Sequence, residues 1–165
     1  MNNFITVDSM LHSKLSLRQN DLKNAVIHEA GHLFYLNKYN ILAWASFSLN
    51  ENYDEFFQRS ILGTVTYDRK AFDDLDITVQ WRIGLAGLVA ELRHDDASDI
   101  KDLIETIVIE IDDNIIISDS DRAMFEGFSE DVLESTVADV MTNWKQIQDL
   151  ATSLYDQNSF LLDLD

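Results

Sequence analysis

A mainly α-helical domain carrying one small antiparallel β ribbon is predicted by three features of the sequence. Apolar residues recur at intervals of three and four in four separate stretches, the period of a helix with one buried face. Only two short stretches alternate apolar and polar residues, as half-buried strands do. The 165 residues include no proline, which favours long uninterrupted helices. That length, at 46% hydrophobic residues, suits a single domain over 1–165 with one sizeable core.

The elements follow in order. Leu22, Ala25, Val26, Ala30, Leu33 and Phe34 place a first helix over about 20–39, with Asn20 or Asp21 as its cap. Residues 41–49 and 60–67 alternate and are rich in β-branched and aromatic types, so they are expected to pair as the ribbon. Over 75–93 the helical period returns: Trp81, Leu85, Leu88 and Leu92 form a stripe, while Gly84, Gly87 and Ala90 leave small surfaces for close helix contact. Ile100, Leu103, Ile104, Ile107, Val108 and Ile111 mark another helix, although 107–111 alone also reads as a strand. After a turn at 118–121, Ser129 can cap one long last helix carrying Leu133, Val137, Val140, Met141, Trp144, Ile147, Ala151 and Leu154.

Composition narrows the function. With no cysteine there is no disulfide, thiolate zinc site, iron–sulfur cluster or cysteine nucleophile, so a metal would have to be held by His, Asp or Glu. Thirty acids against twelve bases give a net charge of -18. Residues 1–93 are nearly balanced, with 11 acids and 9 bases; residues 94–165 hold 19 acids and 3 bases. Such a surface repels phosphate backbones and anionic lipid, so no nucleic-acid or membrane partner is expected, whereas a basic protein partner is compatible with it. The sequence opens without a basic segment leading into an apolar run, and no eighteen-residue apolar stretch occurs; a soluble, cytoplasmic protein is expected.

The first helix contains His28-Glu29-Ala30-Gly31-His32. Imidazoles at i and i+4 stand one above the other on one helical face, close enough for both Nε2 atoms to reach one tetrahedral ion. Glu29 lies beside that face, where a general base can take a proton from a metal-activated water and pass it to a leaving amine. A catalytic zinc normally takes three protein ligands. The metzincin pattern requires glycine and histidine three and six residues after His32, and Tyr35 and Lys38 stand there instead. A downstream glutamate is an alternative, with Glu51, Glu55 and Glu91 as candidates by residue type. Gly31, costly inside a helix, either allows close packing of the Gly84/Gly87 helix behind the metal or admits the ribbon. His94, among Arg93, Asp95 and Asp96, reads as a surface residue, and His12 has no context that assigns it a role.

Val26-Ile-His-Glu-Ala-Gly-His32 resembles the active-site helix of the FtsH-type peptidase domain, the zinc protease module of membrane-bound AAA+ proteases. Leu85-Ala-Gly-Leu-Val-Ala-Glu91 is similar to that family's AG-x-AAE helix. Ser118-Asp-Ser-Asp121, followed by Arg122-Ala123, resembles the segment that brings an aspartate to the metal. Trp144-Lys-Gln-Ile-Gln-Asp-Leu-Ala151 is like its terminal helix, so the likeness runs over about 20–155. It implies a zincin-like helical domain in which His28, His32 and Asp121 ligate Zn²⁺ and Glu29 is the general base. The spacer between Glu91 and Asp121 is long and acidic and contains Ala97-Ser-Asp-Ile100, which makes Asp99 the runner-up ligand.

No GxxxxGK[ST] phosphate loop occurs and no membrane anchor is expected before the domain, so the resemblance implies a free-standing peptidase domain. Its expected substrates are peptides, unfolded proteins, or proteins delivered by a partner. The alternative is a catalytically inactive scaffold or regulatory protein whose acidic C-terminal half binds a partner.

Overall fold

The computed structural model describes residues 7–52, 59–95, 99–113 and 117–164, excluding the side chains of 7–13 and 113. Helices α1 (Val7–Lys38), α2 (Arg69–Asp73), α3 (Ile77–Asp95), α4 (Ile100–Asp113), α5 (Asp119–Phe125), α6 (Glu130–Thr142) and α7 (Trp144–Asn158) accompany a two-stranded sheet of β1 (Ala43–Leu49) and β2 (Ile61–Tyr67), and a short 3-10 helix covers Ser159–Asp163. The predicted class, mainly helical with one antiparallel ribbon, holds for these residues.

Helix α1 begins at Val7, well before the expected start near residue 20. Asp21 therefore caps nothing; its carboxylate accepts hydrogen bonds from the Ser60 backbone N–H (2.7 Å) and hydroxyl. The helix ends where Asn40 adopts a left-handed φ of 58°. Ile41 N–H bonds back to the Leu36 carbonyl (2.9 Å) and Asn40 N–H to that of Asn37 (3.0 Å), the paired closure of a Schellman motif, with Ile41 buried beyond it.

The strands pair in the register Ala43↔Tyr67 through Leu49↔Ile61. Both alternate in burial, so Phe47, Leu49, Ile61 and Val65 face inward and Trp44, Ser46, Thr64 and Thr66 outward. The segment 107–111 is helical: Leu103 and Ile107 are buried four apart, while Ile109, which a strand would place on the same side as Ile107, is 58% exposed.

The expected last helix is two. At Asn143 the side-chain amide donates to the Asp139 carbonyl and carboxylate (2.8 and 2.9 Å), and φ of -102° takes the backbone out of helical geometry. Such local side-chain bonding is how asparagine competes with a helix. Ser129 occupies the N-cap position of α6 without a side-chain capping bond.

Helix α3 is the centre of the structure. Every residue from Ile83 to Glu91 is buried, because α1, α4, α5 and α6 all pack on it. Two glycines permit that closeness. A Cβ on Gly31 would lie 2.3 Å from the Ala86 carbonyl oxygen, and one on Gly84 would lie 2.7 Å from the Met124 Cβ. Gly31 thus serves contact with α3, not entry of the ribbon, and Gly84 lets α5 approach. Among the described residues no helix is long and apolar enough to cross a membrane.

Candidate metal centre

Three elements converge on one point: α1 supplies His28, Glu29 and His32, α3 packs behind them, and α5 brings Asp121. The short α5 is set by Ser118 at its N-cap, whose hydroxyl accepts from the Asp121 N–H (3.1 Å). Asp121 sits in the first turn, the end of a helix where a carboxylate is favoured.

The ring orientations of the two histidines are fixed from behind. His32 Nδ1 lies 2.7 Å from the Ile83 carbonyl oxygen, which can only accept, so Nδ1 carries the proton. His28 Nδ1 lies 2.9 Å from Glu91 Oε2 and donates to that carboxylate. Both Nε2 atoms are thereby turned to the same place, 3.1 Å apart. Asp121 faces them with both oxygens, Oδ2 at 3.3 Å from His28 Nε2 and Oδ1 at 3.6 Å from His32 Nε2.

Two imidazoles with their Nδ1 protons committed would point lone pairs at each other across 3.1 Å unless positive charge lies between them. A proton on His28 meets that need. Burial opposes it, but Asp121, Glu91 and Glu29 hold the His28 pKa up to about 10. A divalent ion meets it as well. Tetrahedral zinc with bonds of about 2.0–2.1 Å separates neighbouring ligand atoms by about 3.3–3.4 Å, and the observed 3.1, 3.3 and 3.6 Å straddle that value. These are the three residues that group as possible metal ligands among the described residues. Two neutral nitrogens and one carboxylate are a donor set that suits zinc. For Asp121, burial works against ionisation, yet His28 and His32 beside it keep its carboxyl well below the usual carboxylate range.

Glu29 is 8% exposed. Burial raises its proton affinity, and the neighbouring histidines pull it back. Its carboxylate lies against the β2 backbone at Gly63, where a Cβ would meet Glu29 Oε1 at 2.6 Å. Asp21 touching Ser60 and Glu29 touching Gly63 mean that β2 runs in the same direction as α1. Between them opens a cleft of 1130 Å³. Its N-terminal end along α1 is polar, with Asn50, Asn52 and Arg59. Beyond His32 its wall is formed by half-buried Val65, Tyr67 and Met124, backed by Leu36, Phe72 and Ile83.

Compared with known proteins, the chain matches no family model, and no curated protein sequence matches it.

Of the expected site residues, His28, Glu29, His32 and Asp121 come together. Asp99 does not join them: it is exposed and caps α4, its carboxylate accepting from the N–H groups of Lys101 (2.9 Å) and Asp102 (3.0 Å). Glu91 binds the far side of His28 instead of pointing into the cluster. Glu51 is exposed in the turn after β1, and His94 is exposed near the end of α3. Glu55 and the His12 side chain lie outside the described residues. Sequence reasoning passed over Gly63 and Arg59. A lone glycine in a β-branched strand signals close approach of something to the backbone, and that signal was available.

Proposed function

We propose that this chain is a zinc-dependent metallopeptidase of zincin type, akin to the FtsH-type peptidase domain, acting on peptides or unfolded protein segments. One observation carries the proposal: His28 Nε2, His32 Nε2 and the Asp121 carboxylate converge at 3.1–3.6 Å with both histidine Nδ1 atoms already committed.

Zinc, when bound, supplies Lewis acidity toward water and toward a peptide carbonyl. His28 and His32 contribute neutral nitrogens, and Asp121 contributes the negative charge that leaves the centre singly positive. Glu29 takes the proton of the attacking water and delivers it to the departing amine nitrogen. Its near-complete burial between α1 and Gly63 restricts the carboxylate to one arrangement and keeps bulk water from competing for its proton. The cleft runs between α1 and β2, which suits an extended segment cleaved internally.

Metal analysis of protein purified without chelator tests the first step: about one zinc per chain is expected, and protein with none overturns the proposal. Glu29→Gln should keep its zinc and lose about 10²–10⁴-fold in peptide hydrolysis. Zinc-loaded wild-type protein that cleaves no member of a diverse peptide library would favour the scaffold alternative, in which the acidic C-terminal half engages a basic partner.

A further inference from the structure

Arg59 stands outside the cluster of histidines and carboxylates and has no part in the chemistry above, yet it completes the contacts around His28. Glu91 is 4% exposed and divides its oxygens between two partners. Oε2 accepts from His28 Nδ1 at 2.9 Å, and Oε1 accepts from the Arg59 guanidinium. Without the guanidinium, Oε1 of this buried carboxylate loses its hydrogen-bond donor, and the side chain must turn to recover one. That rotation displaces the acceptor that fixes the ring plane of His28.

Arg59 is itself held. Its carbonyl accepts from the Asn50 side-chain amide (2.9 Å), and the next residue, Ser60, is tied to Asp21 on α1. The guanidinium leaves this fixed backbone on the polar wall of the cleft, 31% exposed, and reaches inward to Glu91.

We propose that Arg59 is a positioning residue of the metal centre: through Glu91 it holds His28 in ligating orientation and so sets zinc affinity from the mouth of the cleft. The identity of the ion rests on the metallopeptidase reading; the chain of contacts from Arg59 to His28 does not. Outer-shell partners of metal-bound histidines typically change metal affinity by about 10–100-fold, and a guanidinium fork is not replaced in full by the point charge of lysine.

Zinc affinity of the full chain, measured by competition with a chromophoric chelator, is the primary test. Arg59→Met and Glu91→Gln are each expected to weaken zinc about tenfold or more, with Arg59→Lys falling between Arg59→Met and wild type. Arg69→Met is the control, because Arg69 also lines the cleft but pairs with Asp73; its affinity should equal that of wild type. Unchanged affinity in Arg59→Met overturns the inference, and so does an equal loss in Arg69→Met. If Arg59→Met does not fold, Arg59→Lys decides, with unchanged affinity again overturning it. Nitrogen-resolved NMR of His28 in chelator supplies a readout that needs no zinc. The protonated Nδ1 signal of wild type should shift or broaden away in Arg59→Met, and an unaltered signal overturns the inference. Wild-type protein that binds no zinc would sink the proposed function, while the NMR comparison would still decide the role of Arg59.

Discussion

Gly87 on α3 faces His32 so closely that a Cβ built on it would stand 2.3 Å from His32 Nε2, and 2.7 Å from Nε2 of His28. The hydrogen at this position is all the space permits. Because His32 is also held at Nδ1 by the Ile83 carbonyl, its ring cannot retreat without breaking that bond. Gly87→Ala should therefore cost about 1–3 kcal/mol of stability, the usual range for overpacking, and weaken zinc about 10–100-fold. Chelator competition and urea denaturation on the same variant check both; wild-type zinc affinity would show that the α3 backbone does not limit the site.

The two aspartates weighed as third ligand should separate cleanly. Asp121→Ala removes the only carboxylate facing both Nε2 atoms among the described residues, and protein carrying it should emerge from gel filtration with zinc far below one per chain. Asp99→Ala removes a helix cap, with an expected cost of about 0.5–2 kcal/mol in urea denaturation and no change in zinc content. The reverse outcome would move the ligand role to Asp99.

Gly63→Ala tests whether contact with β2 positions Glu29. The added methyl would meet Glu29 Oε1 and Cγ at 2.6 and 2.7 Å, and its three nearest neighbours are all atoms of Glu29, so the carboxylate is what must move. Zinc affinity and KM should stay near wild type while kcat falls about 100-fold, as for other misplacements of about 1 Å at a reacting centre. Steady-state kinetics on a fluorogenic peptide gives the split; a rise in KM alone would place the effect in substrate binding.

His28, Glu29 and His32 were legible because their relation is local: one helix at 3.6 residues per turn fixes which side chains share a face. The ribbon and the buried stripes of α3 and α4 were legible for the same reason. Asp121 required the family resemblance, since its place depends on Gly84 letting α5 approach α3 at Met124, a long-range contact with no periodic signature. The division between α6 and α7 escaped detection because Leu133, Val137, Val140, Ile147 and Ala151 keep one apolar stripe through it, while the break is made by a single polar side chain at Asn143. Arg59 was hidden because its partner Glu91 lies on another element, and ion-pair partners across elements leave no spacing rule.

Zinc binding as proposed would have to displace a proton held by His28. Burial lowers the His28 pKa, but Asp121, Glu91 and Glu29 together raise it to about 10, so His28 is expected to hold a proton in chelator through the neutral range. Apparent zinc affinity should thus fall about tenfold for each unit of pH lowered between 8 and 6.5, with about one proton released per zinc bound. Calorimetry in two buffers of different ionisation enthalpy measures the proton count; a count near zero would mean that His28 is already neutral. In chelator the sign for folding is opposite to that of a carboxylate. A raised histidine pKa contributes stability that is fully present below the unfolded value near 6.5 and is lost as pH rises toward 10.

Asp139 on α6 ties that helix to the C-terminal end of α1. Its Oδ2 accepts from the buried Tyr35 hydroxyl and from Lys38 Nζ, each at 2.7 Å. Burial is the largest single influence and opposes ionisation, but Lys38 and the Tyr35 hydroxyl together outweigh it and hold its carboxyl below the ordinary value near 3.8. A lowered carboxylate pKa gives stability that is complete above the unfolded value and disappears as pH falls through the folded one. Asp139→Asn keeps the shape and an acceptor for Tyr35 but removes the charge. With Lys38 40% and Asp139 24% exposed, solvent screening limits the ion pair, and a loss of about 1 kcal/mol is expected at pH 7. Urea denaturation of both proteins from pH 7 to pH 2.5 should show that difference constant down to about pH 4.5 and closing below it. A difference that persists unchanged at pH 2.5 would mean that packing, not the charge on Asp139, distinguishes the two proteins.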